Sequence, residues 1–212
     1  MSDASVASPI PTPSRRAEPP WELILLGLAV LTLALIPLHV HRAFGLPAHP
    51  LIIHVPVILV PLVGLAALAL VARPVWMERW GIVTGVFVVG ALAGTIVAVG
   101  AGQALRDDRG GGGMGGGRIA EHAQAGENLR IAMVLFALAL LGTLFARRRN
   151  LLDGVPFIAA RIVVAVLAVA SIYLVIRTGH LGAQLTWDQP SFGGGGGGGT
   201  DGPPAGFTPP GG

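Results

Sequence analysis

The run His49-Pro50-Leu51-Ile52-Ile53-His54-Val55-Pro56-Val57-Ile58-Leu59-Val60-Pro61 decides how the rest of the chain is read. Two imidazoles and three prolines stand at the mouth of an apolar stretch that continues to Ala72. Spanning a bilayer takes about 20 apolar residues, and this stretch is long enough. Polar imidazoles at the edge of hydrocarbon are costly to place, so they read as functional. Pro50 suits a first helical turn, where its missing N–H is not needed. Pro56 and Pro61 each remove a helix hydrogen bond and press on the carbonyl four residues back. Membrane helices accept this where neighbours satisfy the freed groups, so a kink is expected near His54.

Composition agrees. The chain is 52% hydrophobic and only 12% charged, with a mean hydropathy of +0.70. A soluble domain carries about a quarter charged residues. Cysteine is missing, which excludes disulfides, thiolate ligands and covalent c-type haem attachment. The formal charge of +3 is carried by arginines at the ends of apolar runs, with no lysine. That pattern suits interfacial anchoring rather than a nucleic-acid surface.

The expected fold is all-α: a polytopic membrane helix bundle with five transmembrane helices, the last four forming the core. The spans are placed at about 22–40, 50–72, 81–105, 128–146 and 155–177. The tail at 1–20, rich in Ser, Pro and Ala, and the Gly/Pro-rich tail at 188–212 read as disordered. The first run is read as an uncleaved helix and not a cleaved signal, because it is long and no small-x-small cleavage site follows. Trp76, Arg79 and Trp80 mark a turn at a membrane–water boundary. Gly90, Gly94, Ala98 and Gly102 form a smooth strip on the third span, of the kind that lets helix backbones approach. The glycines at 110–113 and 115–117 have no preceding strand and no Lys-Ser/Thr, so they read as a low-complexity loop and not a phosphate cradle. Arg161, a turn inside the fifth span, is expected to snorkel outwards.

Five spans place the termini on opposite sides. Arg15, Arg16, Arg73, Arg79 and Arg147 to Arg149 share the N-terminal side, against Arg42, Arg106, Arg109, Arg118 and Arg177 on the other. Arginine favours the cytoplasm, so the expectation is a multi-pass protein of the cell membrane with a cytoplasmic N-terminus and an extracytoplasmic C-terminus. On this map His39, His41, His49, His54, His122 and His180 all fall on the outer side.

Three elements resemble a bacterial membrane family called domain of unknown function 2231. They are His49-Pro50-Leu51-Ile52-Ile53-His54-Val55-Pro56, the Glu121-His122 entrance to a later span, and Thr178-Gly179-His180-Leu181-Gly182-Ala183-Gln184-Leu185. The family pattern is His-Pro-x-x-x-His-Phe-Pro, a central His, and Gly-His-x-Gly-Gly-x-Leu. Val55 replaces the usual Phe, and Ala183 the second Gly, without loss of an imidazole. The resemblance covers about Pro47 to Trp187 and implies that the last four spans are the family core. It carries over no activity. Some relatives are joined to cytochrome-like or iron–sulfur domains, which implies electron transfer by analogy.

Imidazoles on three helices at similar depth can hold iron, copper or zinc. Haem takes one or two axial histidines and a slot between helices, which the glycine strip is expected to offer. His49 and His54 lie roughly 140° apart on an ideal helix and cannot both face one iron. The expected axial ligands are therefore His54 with His122 or His180, and His49 is a cap or supporting group. His54, His122 and His180 are also the expected ligands of any other metal. Arg130 and Arg177 are placed to meet haem propionates. The favoured reading is a b-type haem serving electron transfer with a redox partner. The alternatives are a copper or zinc site, a proton relay, or a non-redox scaffold in which histidines satisfy helix ends and Arg130 pairs with Glu127. Neither a Ser-His-Asp set nor paired carboxylates stand out, so an enzyme is the poorer reading. Nucleic acid is not an expected partner; the lipid bilayer is.

Overall fold

The computed structural model describes residues 20–108 and 116–187. Both tails read as disordered, and most of the glycine loop, lie outside the described residues.

Helix α1 (Trp21–Thr32) runs into a 3-10 turn (Leu33–Leu35). A two-residue hairpin follows, β1 (Arg42–Ala43) against β2 (Leu46–Pro47). Then come α2 (Ala48–Ile52), α3 (His54–Ala72), α4 (Val75–Asp108), α5 (Gly116–Arg148) and α6 (Gly154–Trp187). Four helical segments are long and apolar enough to cross a membrane: Ala48–Ala72, Val75–Asp108, Gly117–Arg148 and Gly154–Leu185. The chain is a multi-pass membrane protein built as a helix bundle, with five apolar helices of which the first is short.

That first helix corrects the expected span at 22–40. Trp21–Leu35 covers only about 22 Å at 1.5 Å per residue, against about 30 Å of hydrocarbon. The segment still traverses the bundle. Glu22 stands 2.8 Å from Arg148 at the foot of α5. Leu25 lies against Gly85, and the Leu38 carbonyl against Gly100. His41 reaches Asp108 at the end of α4. Beyond the 3-10 turn the chain is non-helical, and extended residues advance about twice as far each as helical ones.

The other helices outrun their expected spans. No breaker separates Trp76 from Gly81, and Pro74 suits a helix start, so the turn shrinks to Arg73-Pro74 and α4 begins at Val75. Helix α5 does continue through Glu121 and His122 out of the apolar run, and α6 passes His180 to Trp187. Near His54, where a kink was expected, the helix is interrupted at the single residue Ile53 between α2 and α3, with its backbone still in the right-handed helical region. Pro56 has no N–H for the Ile52 carbonyl, and its ring crowds that turn.

The core comprises Val60, Val88, Leu92, Ile96, Met133, Phe136, Leu140, Leu141 and Val164. Helix α4 packs on α1, α2, α3 and α5, while α6 packs on α3 and α5. Helix α5 is the most enclosed: 56% of its most apolar stretch is buried, against 22% in α6. The outer face of α6 presents Ile158, Ile162, Val166, Val169 and Ile176, a surface that only hydrocarbon solvates well. The glycine strip of α4 is filled by neighbours: Gly90 meets Leu59, Gly94 meets Val55 and Pro56, and Gly102 meets His49. It packs α2 and α3 against α4. The Arg161 guanidinium donates from Nε and Nη2 to the Val71 carbonyl at the end of α3.

Candidate functional site: a pair of imidazoles seated on helix carbonyls

Helix α2 is separated from α3 by the single residue Ile53 and packs against α4. His49, half-buried on α2, donates its Nδ1 proton to the Ala98 carbonyl at 2.9 Å. His122, half-buried on α5, donates its Nδ1 proton to the Thr178 carbonyl at 3.1 Å. A helix carbonyl already accepts the N–H four residues on. Its second lone pair is open to a side chain from a neighbouring helix only where the residue at that fourth position leaves room. In both seats that residue is glycine. A Cβ at Gly102 would stand 3.0 Å from the His49 ring, and one at Gly182 would stand 3.1 Å from the His122 ring. The same device is therefore built twice, as Ala98/Gly102 on α4 and Thr178/Gly182 on α6.

The two seats bring the imidazoles together. Their ring centroids are 6.2 Å apart, with planes inclined at 82°. A carbonyl oxygen can only accept, so each Nδ1 carries the proton and each neutral ring keeps its lone pair on Nε2. This is the arrangement that orients a metal-ligating histidine through its other nitrogen. A metal–imidazole bond is about 2.0–2.1 Å, so two ring centroids on opposite sides of one metal atom stand about 6 Å apart.

The remaining histidines are engaged elsewhere. His54 is exposed, and its Nδ1 lies 3.2 Å from the Leu51 carbonyl in the preceding turn. His180 is exposed and accepts at Nε2 from the Gln184 amide at 3.1 Å. Among the described residues neither makes a ring contact with His122; the partner of His122 is His49, which had been expected only to cap or support. His39 bonds to the Pro37 carbonyl and to Gln103. Gln103 in turn donates to Glu127 at 2.7 Å. Glu127 pairs with Arg130 at 2.5 Å, so Arg130 is already committed. Arg177 is exposed. Among the described residues no group of three or more His, Cys, Asp or Glu gathers as a metal site.

Sequence reasoning missed Gly182 as the seat of His122 and Gly102 as the seat of His49. The available signal was a glycine four residues after a position that an imidazole can reach. No curated protein and no solved structure matches the chain. Residues 45–190, which hold both seats and both imidazoles, match the family model described as "Predicted membrane protein (DUF2231)", and the chain belongs to that family.

Proposed function

We propose that this chain is an electron-transfer protein of the cell membrane that carries a b-type haem on His49 and His122 and exchanges electrons with a redox partner. The observation that carries the reading is the pair itself: two rings 6.2 Å apart, each with Nδ1 spent on a backbone carbonyl. Haem supplies four equatorial nitrogens and asks the protein for one or two axial imidazoles, which is the number offered. Zinc takes three or four protein ligands, and copper with two imidazoles would need others. When bound, the haem supplies one-electron chemistry at its iron. The chain's own residues fix the ring orientations through Ala98 and Thr178, and Arg177 is the cation left for a propionate. The arginine balance supports a cytoplasmic N-terminus and an extracytoplasmic C-terminus, which would put the pair near the outer face.

A second reading is favoured by the same hydrogen bonds, which tie α2 to α4 and α5 to α6 whether or not a cofactor binds. In that reading the histidines are fasteners of a non-redox scaffold.

The visible spectrum of protein purified in mild detergent from haem-replete cells decides between them. A Soret band that shifts on reduction is expected. It should be lost or displaced in His49→Ala and His122→Ala and kept in His54→Ala and His180→Ala. Colourless, iron-free protein overturns the haem and leaves the fastener. Stoichiometric copper or zinc in the same sample overturns it in favour of a metal site.

A further inference from the structure

At the other end of the bundle, α3 and α4 are joined by the two-residue turn Arg73-Pro74. Antiparallel helices so tightly joined are expected to close on each other near the turn. Here they leave a groove of about 390 Å³ between them. The cause is side-chain size. Helix α3 contributes the small Ala66 and Ala69, and α4 lines the opposite wall with Trp76 and Trp80. The groove runs on to Leu59 and Phe87. From Trp76 to Phe87 is about 16 Å at 1.5 Å per residue, close to the hydrocarbon depth of one leaflet.

The mouth is charged. The Arg73 guanidinium lies 5.2 Å from the Trp76 ring, and that of Arg79 lies 5.5 Å from the Trp80 ring. Tryptophans of this kind sit at headgroup level. Both arginines are exposed, and among the described residues no ion pair is formed by either. Of the nearby carboxylates, Glu22 pairs with Arg148 at 2.8 Å, while Glu78 and Asp153 approach Arg147 at 3.9 and 3.6 Å. The mouth thus holds two exposed guanidiniums, with Glu78 beside Arg79, above an apolar cleft of one-leaflet depth.

We propose that this groove binds one anionic phospholipid, its acyl chain between Ala66/Ala69 and Trp80 and its phosphate at Arg73 and Arg79. A planar guanidinium donates in a fork that suits phosphate, and the acidic headgroup supplies the net negative charge that a zwitterionic lipid lacks. A second copy of the chain fits less well, because a two-fold contact here would set Arg73 and Arg79 against their own equivalents. The site shares no residue with His49 or His122, so it stands or falls independently of the haem reading.

The test is native mass spectrometry in detergent, titrating phosphatidylglycerol against phosphatidylcholine of identical acyl chains. Thermal unfolding on the same samples reports folding and lipid stabilisation. The wild type is expected to hold phosphatidylglycerol about 30-fold more tightly, the effect of two arginines near an anionic surface. The double variant Arg73→Gln/Arg79→Gln should lose that preference while keeping its phosphatidylcholine binding. Ala66→Phe, which fills the groove, should weaken both lipids. Equal retention of the two lipids by the wild type overturns the proposal, as does a double variant that still prefers phosphatidylglycerol. Stabilisation by inorganic phosphate alone, equal to that by lipid, makes it a free-anion site and overturns it. A dimer abolished by Ala66→Phe makes it a subunit interface and overturns it too.

Discussion

A single methyl group separates a usable helix carbonyl from a blocked one, and Gly102 of α4 and Gly182 of α6 are spent on that difference. Gly102 clears the seat of His49, and Gly100 clears a path for the main chain of the first segment. A Cβ at Gly100 would collide with the Leu38 carbonyl oxygen. That neighbour is backbone and cannot swing aside as a side-chain tip can. Gly100→Ala is therefore expected to destabilise the bundle by about 1–3 kcal/mol, the usual cost of overpacking. Gly142→Ala is the control, since nothing lies within 4 Å of its added Cβ; it should be neutral or gain up to about 1 kcal/mol from helix propensity. Denaturant or thermal unfolding in one detergent compares them, and equal midpoints for the two variants would remove the steric argument. The packing role of Gly90, Gly94 and Gly102 was legible from their spacing alone. Gly100 was not, because it lies off that strip and its partner belongs to a segment expected to be helical as far as Val40.

Among the elements, α2 has only five residues, yet it positions His49. Its independence rests on Pro56, which denies the Ile52 carbonyl a partner. Pro56→Ala lets that bond form, and the tighter turn is expected to shift His49 relative to the Ala98 carbonyl. Acylation of histidines by diethyl pyrocarbonate, mapped by peptide mass spectrometry, reads the change. In the wild type, half-buried His49 and His122 should react more slowly than exposed His54 and His180. In Pro56→Ala the His49 rate should rise several-fold while that of His180 stays put. An unchanged His49 would mean that the break at Ile53 does not position the ring. The proline signal made this break readable in advance. The hairpin before it was not read: Phe44 and Gly45 both adopt positive φ, 53° and 80°, as a two-residue hairpin turn requires. The pattern Phe-Gly is a weak cue for it, since glycine accepts positive φ freely and phenylalanine does so rarely. The pairing of His49 with His122 was likewise hidden, because it depends on how α2 and α5 pack against their neighbours and not on which residues border the membrane.

For the whole molecule, the alternation of apolar runs along the chain was enough to give the bundle, but it overstated the first helix. What carries that segment across is the sequence of contacts from Glu22 at Arg148, through Leu25 at Gly85 and Leu38 at Gly100, to His41 at Asp108. Each partner lies further along α4 or nearer its far end, so segment and helix run in the same direction. The hairpin at Phe44 and the C-terminal end of α6 then belong to one side, and the α5–α6 turn at Asn150 to the other. The absolute sense is our proposal: Arg147, Arg148 and Arg149 adjoin that turn, and arginine-rich short loops favour the cytoplasm. Paired reporters, one active only in the cytoplasm and one only outside it, test both statements when fused after Phe44, after Asn150 and after Gly212. Cytoplasmic signal at Asn150 with external signal at Phe44 and Gly212 is the expected pattern. Inversion at all three sites would overturn the orientation and leave the traverse intact. Phe44 reporting the same side as Asn150 would be more damaging. It would make the first segment a re-entrant hairpin, against the march of contacts that runs the length of α4.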